Sequence, residues 1–334
     1  MALEIRKAVR RALPMQIAFY SQQGAGKTFS ALMLAAGLVP DGKQVGVLDS
    51  ERGRASLYAD NKKIMAALPQ GFDVAEIENP YHPKKYTEAI EEFESRGYGA
   101  LVIDSGSDSW DGPGGCCDIA EAAKGMWNGA KLANKRMMTR AALSTMHIIW
   151  CLKAQEKTKI IGKEKTDSRK QEYIDLGVQP IWEKNNLYPM LLAFHVQVDT
   201  HLSRVVKCHD DLWDLFKEPK LITKQDGERL RLWNDAGQKV PAGTKLQTRG
   251  RSAAECGTAA YSAFFGALSK PDKKFLIDST HAENKAVAAR ADGEVPDVES
   301  LPDPVELVVG TRMRCKGEVW AVEDSEGEYR WARA

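Results

Sequence analysis

The sequence predicts an α/β fold in which a mainly parallel sheet is flanked by helices. The first observation is a series of short, nearly continuous apolar runs between residues 14 and 216, a pattern typical of strands covered by helices on both faces. The second is that stretches of helix formers separate most of these runs. Such alternation favours right-handed crossovers between parallel strands.

The individual elements follow from these runs. The predicted strands are MQIAFY, QVGVLD, ALVIDS, HIIWCLKA and MLLAFHVQVD. The predicted helices between them are KTFSALMLAAGL, YTEAIEEFESRG and EAAKGMWNGAKLANKRMMTRAAL. A further short helix is predicted in LITKQDGERLRLWNDAG, and it ends at Gly237.

The pattern of apolar runs changes after the α/β part. We predict a core at 1–236, a linker at 237–252, a small helical segment at 253–292 broken at Pro271, an acidic proline-rich linker at 293–306 and a small β segment at 307–334. Both linkers are predicted from Pro and Gly without apolar periodicity. The last segment alternates and turns at SEGE, as a hairpin does.

Composition excludes several classes of protein. The 334 residues carry a net charge of +1, so any basic surface must be local. No secretory leader and no run of roughly 20 apolar residues is evident, which predicts a cytoplasmic protein without membrane contact. The six cysteines form no CxxC pair, which suits a reducing compartment. His195, His201, Cys208 and His209 lack a close ligand pair and are more simply strand and loop residues than a metal site.

The segment SQQGAGKT fits the phosphate-binding pattern G-x-x-x-x-G-K-[ST], with Ser21 at the position of the first glycine. Gly24 and Gly26 allow the backbone N–H groups to point at a phosphate, and Lys27 reaches the β and γ phosphates. The alternative is an ordinary glycine turn before Lys27. The predicted ATP-binding residues are Ser21, Gln22, Gln23, Gly24, Ala25, Gly26, Lys27, Thr28 and Phe29.

A magnesium site is predicted beside this loop. The Thr28 hydroxyl would bind Mg²⁺, and Asp104, at the end of the apolar run ALVID, would hold a metal-bound water. Asp104 alone is a weak signal, since an aspartate at a strand end also caps turns. Paired with the loop, it becomes a strong one.

Catalytic roles are predicted for Glu51, Lys27 and Gln155. Glu51 follows the strand QVGVLD, whose end meets the phosphate loop at the same edge of a parallel sheet, so it would activate the attacking water. The alternative for Glu51 is an ion pair with Arg52 or Arg54. Gln155 would sense the γ-phosphate, or it is a polar strand end in solvent.

These parts, in this order, resemble the RecA superfamily of recombinase-type ATPases, most of all its compact phage nucleotide-binding proteins and single-strand annealing ATPases. The matching pieces are GAGKT, VLDSERG, VIDS, a strand ending in Gln155 with a long polar loop, and SRVVKCHDDLWDLF. The resemblance covers residues 14–235. It implies a homo-oligomeric ring or filament in which Arg204 and Lys207 contact a neighbour's ATP. Ser21, His209 and the missing large N-terminal domain depart from the full recombinases.

The resemblance also implies a single-stranded DNA partner, held by the polar segment 153–180, and a bacterial host cytoplasm if a phage encodes the chain. Tyr173 could stack on a base, and the loop SGSDSWDGPGGCCD could be a flexible companion contact. Interleaved acidic residues leave a solvated mixed-charge loop as the alternative. The predicted DNA-binding residues are Lys157, Lys159, Lys163, Lys165, Arg169 and Lys170.

Three function classes compete at this point. The first is a DNA recombination or annealing ATPase with DNA-stimulated hydrolysis. The second is a nucleotide-dependent assembly or regulatory switch with protein partners. The third is a small-molecule kinase, disfavoured by Glu51 and by the lack of an Arg-rich lid.

Overall fold

The computed structural model describes residues 7–40, 42–161, 172–239, 242–255, 257–268, 270–293, 297–298, 312–315, 318–325 and 328–333. The chain divides into two compact units. The first contains Met1–Asp118 and Ala133–Gln238, and the second contains Ile119–Leu132 and Lys239–Ala334.

The elements up to residue 239 alternate between strands and helices. In chain order they are β1 (Arg11–Ala12), β2 (Gln16–Ser21), α1 (Lys27–Leu38), β3 (Val45–Asp49), α2 (Lys62–Ala67), β4 (Asp73–Glu76), α3 (Pro83–Ser95), β5 (Ala100–Asp104), α4 (Asp108–Asp111), α5 (Cys116–Ala122), α6 (Asn128–Ala142), β6 (His147–Ile161), β7 (Glu172–Pro180), β8 (Leu192–Val196), β9 (Ser203–Lys207), α7 (Trp213–Phe216), α8 (Lys224–Asp235) and β10 (Gln238–Lys239).

Within the described residues, the main sheet has eight strands in the order β4-β3-β5-β6-β2-β8-β9, with β7 attached to β6. All neighbours along this order are parallel except β9, which is antiparallel to β8, and β7 is antiparallel to β6. The structure confirms the predicted fold class, an α/β core with a mainly parallel sheet flanked by helices.

The core lies on both faces of this sheet because side chains alternate along each strand. In β2, Ile17 and Phe19 pack into one apolar cluster with α1 and α8. Ala18 and Tyr20 pack into the cluster on the opposite face, together with residues of α3 and α6. Coverage on both faces explains why the strands read as nearly continuous apolar runs.

The polar segment after Lys153 differs from the prediction. It forms a β-hairpin instead of a loop, because β6 continues to Ile161 and pairs with β7. Pairing satisfies the backbone hydrogen bonds of a two-stranded ribbon without an apolar core, so apolar periodicity gives no signal for it. Residues 162–171 lie outside the described residues.

Two further differences are local. The single helix predicted over 121–143 is interrupted after α5, where Lys124 and Gly125 have positive φ angles of 55° and 85°. The short edge strand β4 was not predicted, because its side chains are half-buried or exposed and give no apolar run.

From Ala242 onward, the described residues of the second unit form four helices and a small sheet: α9 (Ala242–Glu255), α10 (Thr258–Gly266), α11 (Lys270–Ser279), α12 (His281–Gly293), β11 (Asp297–Val298), β12 (Arg312–Cys315), β13 (Glu318–Ser325) and β14 (Glu328–Arg333). The strands pair in that order. The predicted linker 237–252 is therefore wrong in its secondary structure, since α9 occupies most of it. The Pro and Gly of this stretch suggested a linker, although the stretch also contains helix formers. Ala254 of α9 packs on Tyr261 and Ala288.

Pro271 lies in the first turn of α11, where a missing N–H costs nothing, so the predicted break is the start of a helix. Most of the predicted linker 293–306 lies outside the described residues. The domain boundaries themselves stay predictions. Among the described helices, none combines the length and apolar character needed to cross a bilayer.

Candidate functional site

The phosphate-loop motif joins β2 to α1 in the strand–loop–helix context that it requires. Gly24 and Gly26 have φ angles of 81° and 87°, a region that side chains rarely adopt. Gly26 is the N-cap of α1, and no side chain caps this helix end. The first N–H groups of α1 therefore point at the loop without an intrahelical partner, which makes the site a favourable place for an anion.

Lys27 lies over the loop that precedes it. Its ammonium donates to the carbonyl oxygens of Gln22 at 3.1 Å and Ser21 at 3.4 Å. These contacts hold the charge where the backbone amides would bind phosphate. The loop and its lysine thus form one anion-binding nest.

Ser21 has a structural reason to replace the usual glycine. Its side chain is fully buried, and its hydroxyl donates to the Val196 carbonyl at 2.6 Å. Val196 ends β8, so this bond ties the start of the loop to the neighbouring strand.

We expect Ser21→Ala to lower the free energy of unfolding by about 1–3 kcal/mol, because the buried Val196 carbonyl loses its donor. Urea unfolding measures this change. Ser95→Ala is the control, because the hydroxyl of Ser95 bonds within its own exposed helix end and should contribute little. Equal losses for both variants would contradict the role of the Ser21 bond.

Asp104 and Thr28 lie together beside the loop. The Thr28 hydroxyl donates to Asp104 Oδ2 at 2.5 Å, and Asp104 is only 5% exposed. Burial raises the pKa of Asp104 to about 6, with contributions from the Glu51 and Asp49 carboxylates, against the opposing effects of Thr28 and Lys27. A hydroxyl and a crowded carboxylate are hard oxygen donors that fit Mg²⁺. In the described part of the chain, no group of three or more His, Cys, Asp or Glu could hold a metal.

The raised pKa of Asp104 gives a stability prediction for the protein without metal and nucleotide. Its folded pKa of about 6 lies above the ordinary 3.8, so its proton stabilises the fold at low pH and this contribution is lost as the pH rises through 6. We expect Asp104→Asn, which mimics the protonated form, to raise the free energy of unfolding at pH 8 by about 1–3 kcal/mol. Urea unfolding should show a smaller gain at pH 5. Equal gains at both pH values would contradict this origin.

Glu51 is positioned by the aspartate that ends β3. Asp49 is buried, and its two carboxylate oxygens accept the N–H groups of Glu51 at 2.6 Å and Ala55 at 2.8 Å. The turn then passes through Arg52 and Gly53, both with positive φ. This turn directs Glu51 toward the same cavity as Lys27 and Asp104.

The alternative role predicted for Glu51 is also present in part. Arg54 Nη1 lies 3.4 Å from Glu51 Oε2, and the two side chains are 58% and 26% exposed. An exposed pair of this length stabilises little. It leaves the second carboxylate oxygen of Glu51 available to the cavity.

A cavity of about 980 Å³ brings most of the predicted residues together. Gln22, Ala25 and Phe29 are not among the residues that line it. The predicted residues that do line it are Ser21, Gln23, Gly24, Gly26, Lys27, Thr28, Glu51 and Asp104.

Gln155 is the predicted catalytic residue that the structure does not bring to this cavity. It is exposed on β6 opposite Gln179, beyond the part of β6 that pairs with β2 and β5. Lys153, two residues earlier, lines the cavity instead. Lys153 is level with Ser21 of the neighbouring strand β2, which is the first residue of the loop.

Sequence reasoning missed the network that holds Lys153. Its ammonium contacts Asp108 Oδ1, and Asp108 Oδ2 accepts the Ser50 hydroxyl at 2.6 Å. Burial opposes the charge of Lys153, but Asp108, Glu51 and Asp111 outweigh it and raise the pKa of the ammonium. Asp108 comes from the stretch predicted as a flexible loop, which is wrong for this residue, because it is buried and begins α4.

Tyr58 is a second residue that sequence reasoning missed. It lines the cavity, and its hydroxyl interacts with Thr28. Burial raises the pKa of Tyr58, and the carboxylate of Asp104 adds to this effect. An aromatic residue seven positions after Glu51 was the available signal, but nothing local indicates that it turns inward.

The residues predicted to contact a neighbouring subunit lie on the edge strand β9. Arg204 is exposed. Lys207 donates to the carbonyl oxygen of Leu187 at 3.0 Å and to that of Tyr188, and burial lowers its pKa. Lys207 is therefore engaged within its own chain and partly buried, whereas Arg204 is exposed.

The histidines near β8 and β9 have separate partners. His195 stacks on Tyr20 at 5.3 Å between ring centroids, and His201 Nδ1 lies 3.0 Å from the Ala25 carbonyl oxygen. His209 lies 5.5 Å from the Trp233 ring.

The predicted DNA contacts fall largely outside the described residues. Lys157 is half-buried on β6. The side chains of Lys159 and Tyr173 are not described, although their backbones pair within the hairpin. Lys163, Lys165, Arg169 and Lys170 lie outside the described residues altogether.

Comparison with known proteins identifies no family. No family model and no curated protein matches the sequence. A KaiC-like protein from the archaeon Pyrococcus horikoshii OT3 is similar in structure over 61% of this chain and 89% of its own, with 13% identity and a TM-score of 0.34. An ATPase from the type III secretion system of pathogenic bacteria is similar over 84% of this chain and 71% of its own, with 15% identity and a TM-score of 0.34. Likenesses this low carry no argument about function.

Proposed function

We propose that this chain is a RecA-like protein that binds and hydrolyses ATP with Mg²⁺ and acts on single-stranded DNA in recombination or annealing. The observation that carries the ATPase part is the contact of Thr28 with Asp104 beside Lys27 and Glu51, all in one cavity. Two oxygen donors, one phosphate-binding cation and one carboxylate facing the cavity are the groups that nucleotide hydrolysis requires.

Each residue has a separate task in this proposal. The amides of the loop and the Lys27 ammonium hold the phosphates, and Thr28 and Asp104 would hold Mg²⁺. The metal would supply neutralisation of the negative charge of the phosphates. Glu51 orients the attacking water and accepts its proton, and the Asp49 carboxylate keeps the backbone of Glu51 in place.

The DNA part of the proposal depends on the sequence resemblance and on the position of the hairpin. β6 passes from the cavity at Lys153 into the hairpin, and its described residues include Lys157 and Lys159 of the predicted basic set. We propose that the hairpin holds single-stranded DNA, that the chain acts as a homo-oligomer with Arg204 reaching a neighbour, and that it is of phage or prophage origin and works in a bacterial cytoplasm.

The same hairpin also supports the second candidate function, a nucleotide-dependent assembly or regulatory switch with protein partners. A β-ribbon continuous with the nucleotide cavity can contact a protein as readily as a nucleic acid. The two functions share the chemistry of the cavity and differ only in what the hairpin touches.

ATP turnover with and without single-stranded DNA tests both parts of the proposal. We expect hydrolysis by the full chain, its loss in Lys27→Ala, and stimulation by DNA that weakens as salt is raised. Hydrolysis that is indifferent to DNA, without salt-sensitive DNA binding, would favour the switch. A wild-type chain that neither binds nor hydrolyses ATP would overturn the proposal as a whole.

A further inference from the structure

We propose that Lys153 is a specificity-determining residue that distinguishes a nucleoside triphosphate from a diphosphate by binding the terminal phosphate. This inference rests on the proposed nucleotide site. It assigns to Lys153 the γ-phosphate contact that the sequence predicts for Gln155.

The position of Lys153 supports this role. It is level with Ser21 in the neighbouring parallel strand, so its backbone lies about 5 Å from the start of the phosphate loop. Cys151, two residues earlier on the same face of β6, is level with Asp104. Lys153 thus leaves the sheet between the strand of the phosphate loop and the strand of the proposed metal ligand, and its side chain lines their common cavity.

The partner of Lys153 explains how the contact can respond to a ligand. The Lys153 side chain is 41% exposed, whereas Asp108 is 7% exposed. The buried carboxylate is also held by the Ser50 hydroxyl, which in turn accepts the Ser105 N–H at 2.8 Å. Asp108 is therefore fixed, and the flexible ammonium is the member of the pair that can turn into the cavity.

A terminal phosphate would compete with Asp108 for this ammonium. A phosphate carries more negative charge than one carboxylate and offers three acceptor oxygens, so it is a strong competitor for a lysine. After the exchange, Asp108 keeps the Ser50 hydroxyl as a donor. A diphosphate lacks the terminal group and leaves the ion pair in place. The Lys153 contact would then add affinity for the triphosphate alone.

The backbone of Lys153 is anchored, which limits the exchange to its side chain. Its N–H donates to the Ser107 hydroxyl at 2.9 Å, and its carbonyl accepts the Ile181 N–H at 2.8 Å. Because only the charged end of the Lys153 side chain moves, binding a phosphate costs little conformational entropy. This arrangement suits Lys153 to discrimination between ligands.

Calorimetric affinities for a non-hydrolysable ATP analogue and for ADP, measured with Mg²⁺ on the full chain, test the proposal. We expect Lys153→Gln to weaken triphosphate binding roughly tenfold or more and diphosphate binding less than threefold. Lys153→Arg should retain most of the difference. Asp108→Asn, which weakens the competitor, should strengthen triphosphate binding relative to diphosphate.

Lys220→Gln is the matched control. Lys220 also pairs with a buried aspartate, Asp226, but does not line the cavity, so its loss should leave both affinities unchanged. Equal weakening of both ligands in Lys153→Gln would mean that the ion pair only supports the fold, and would overturn the proposal. If wild type binds neither nucleotide, the proposed function fails first. If wild type binds both, Lys27→Ala binds neither, and Lys153→Gln keeps its discrimination, only the role of Lys153 fails.

Discussion

Glu51→Gln is expected to lower ATP turnover by a factor of about 10² to 10⁴ while ATP affinity changes little. Glutamine keeps the shape of the side chain and the backbone bond from Glu51 N–H to Asp49. It cannot accept the proton of the attacking water, so it removes the base without removing the binding site. Single-turnover hydrolysis and a separate binding measurement distinguish the two quantities.

The control for this experiment is Arg54→Gln. Arg54 pairs with Glu51 at 3.4 Å, so removing its charge tests whether ATP turnover depends on the exposed ion pair. We expect turnover to change less than threefold in this variant, because exposed pairs contribute little. Glu51→Gln with near-normal turnover would show that another group activates the water, and a large loss in Arg54→Gln would favour the ion-pair role.

Gly227→Ala is expected to lower the free energy of unfolding by about 3 kcal/mol or more, because it separates two helices that touch through their backbones. A Cβ at Gly227 in α8 would lie 2.2 Å from the Leu34 carbonyl oxygen and 2.9 Å from Gly37 Cα in α1. A Cβ at Gly37 would lie 1.9 Å from the Lys224 carbonyl oxygen. Backbone atoms cannot move aside as a flexible side chain can, so the helices must shift.

The shift would also reach the proposed nucleotide site. α1 begins at Lys27, so displacing this helix misplaces the ammonium and the amides of the loop. We therefore expect Gly227→Ala to weaken nucleotide binding together with stability, as measured by urea unfolding and calorimetry. Gly266→Ala is the control, because its Cβ would meet nothing within 4 Å and alanine favours a helix. A stable Gly227→Ala protein would contradict the backbone contact between α1 and α8.

The sequence alone predicts those parts of the site that lie next to one another along the chain. The loop at Gly24–Thr28 carries its own conformational requirements, and Asp104 follows directly from a buried strand. By contrast, Asp108 and Lys153 meet only because α4 and β6 are brought to one edge of the sheet. Nothing local distinguishes a buried aspartate in SGSDSWDG from a solvated one.

Two kinds of element escaped prediction for physical reasons. The hairpin of β6 and β7 is stabilised by backbone pairing between polar strands, so apolar periodicity does not reveal it. Helix α9 is stabilised by packing against its neighbours, which outweighs the Pro and Gly that suggested a linker. The hairpin depends on pairing between polar strands, and α9 depends on residues further along the chain.

The irregularity in the pairing of β6 with β7, between Glu156 and Thr158, divides this ribbon into a near half and a far half. A bulge bends the strand that carries it, so the far half can differ in length while the near half keeps its register. Before the irregularity, Ala154, Gln155 and Glu156 pair with Pro180, Gln179 and Val178 in regular register. The ribbon thus begins beside the cavity with a regularly paired root, and a change in the length of the part beyond the irregularity need not disturb that root.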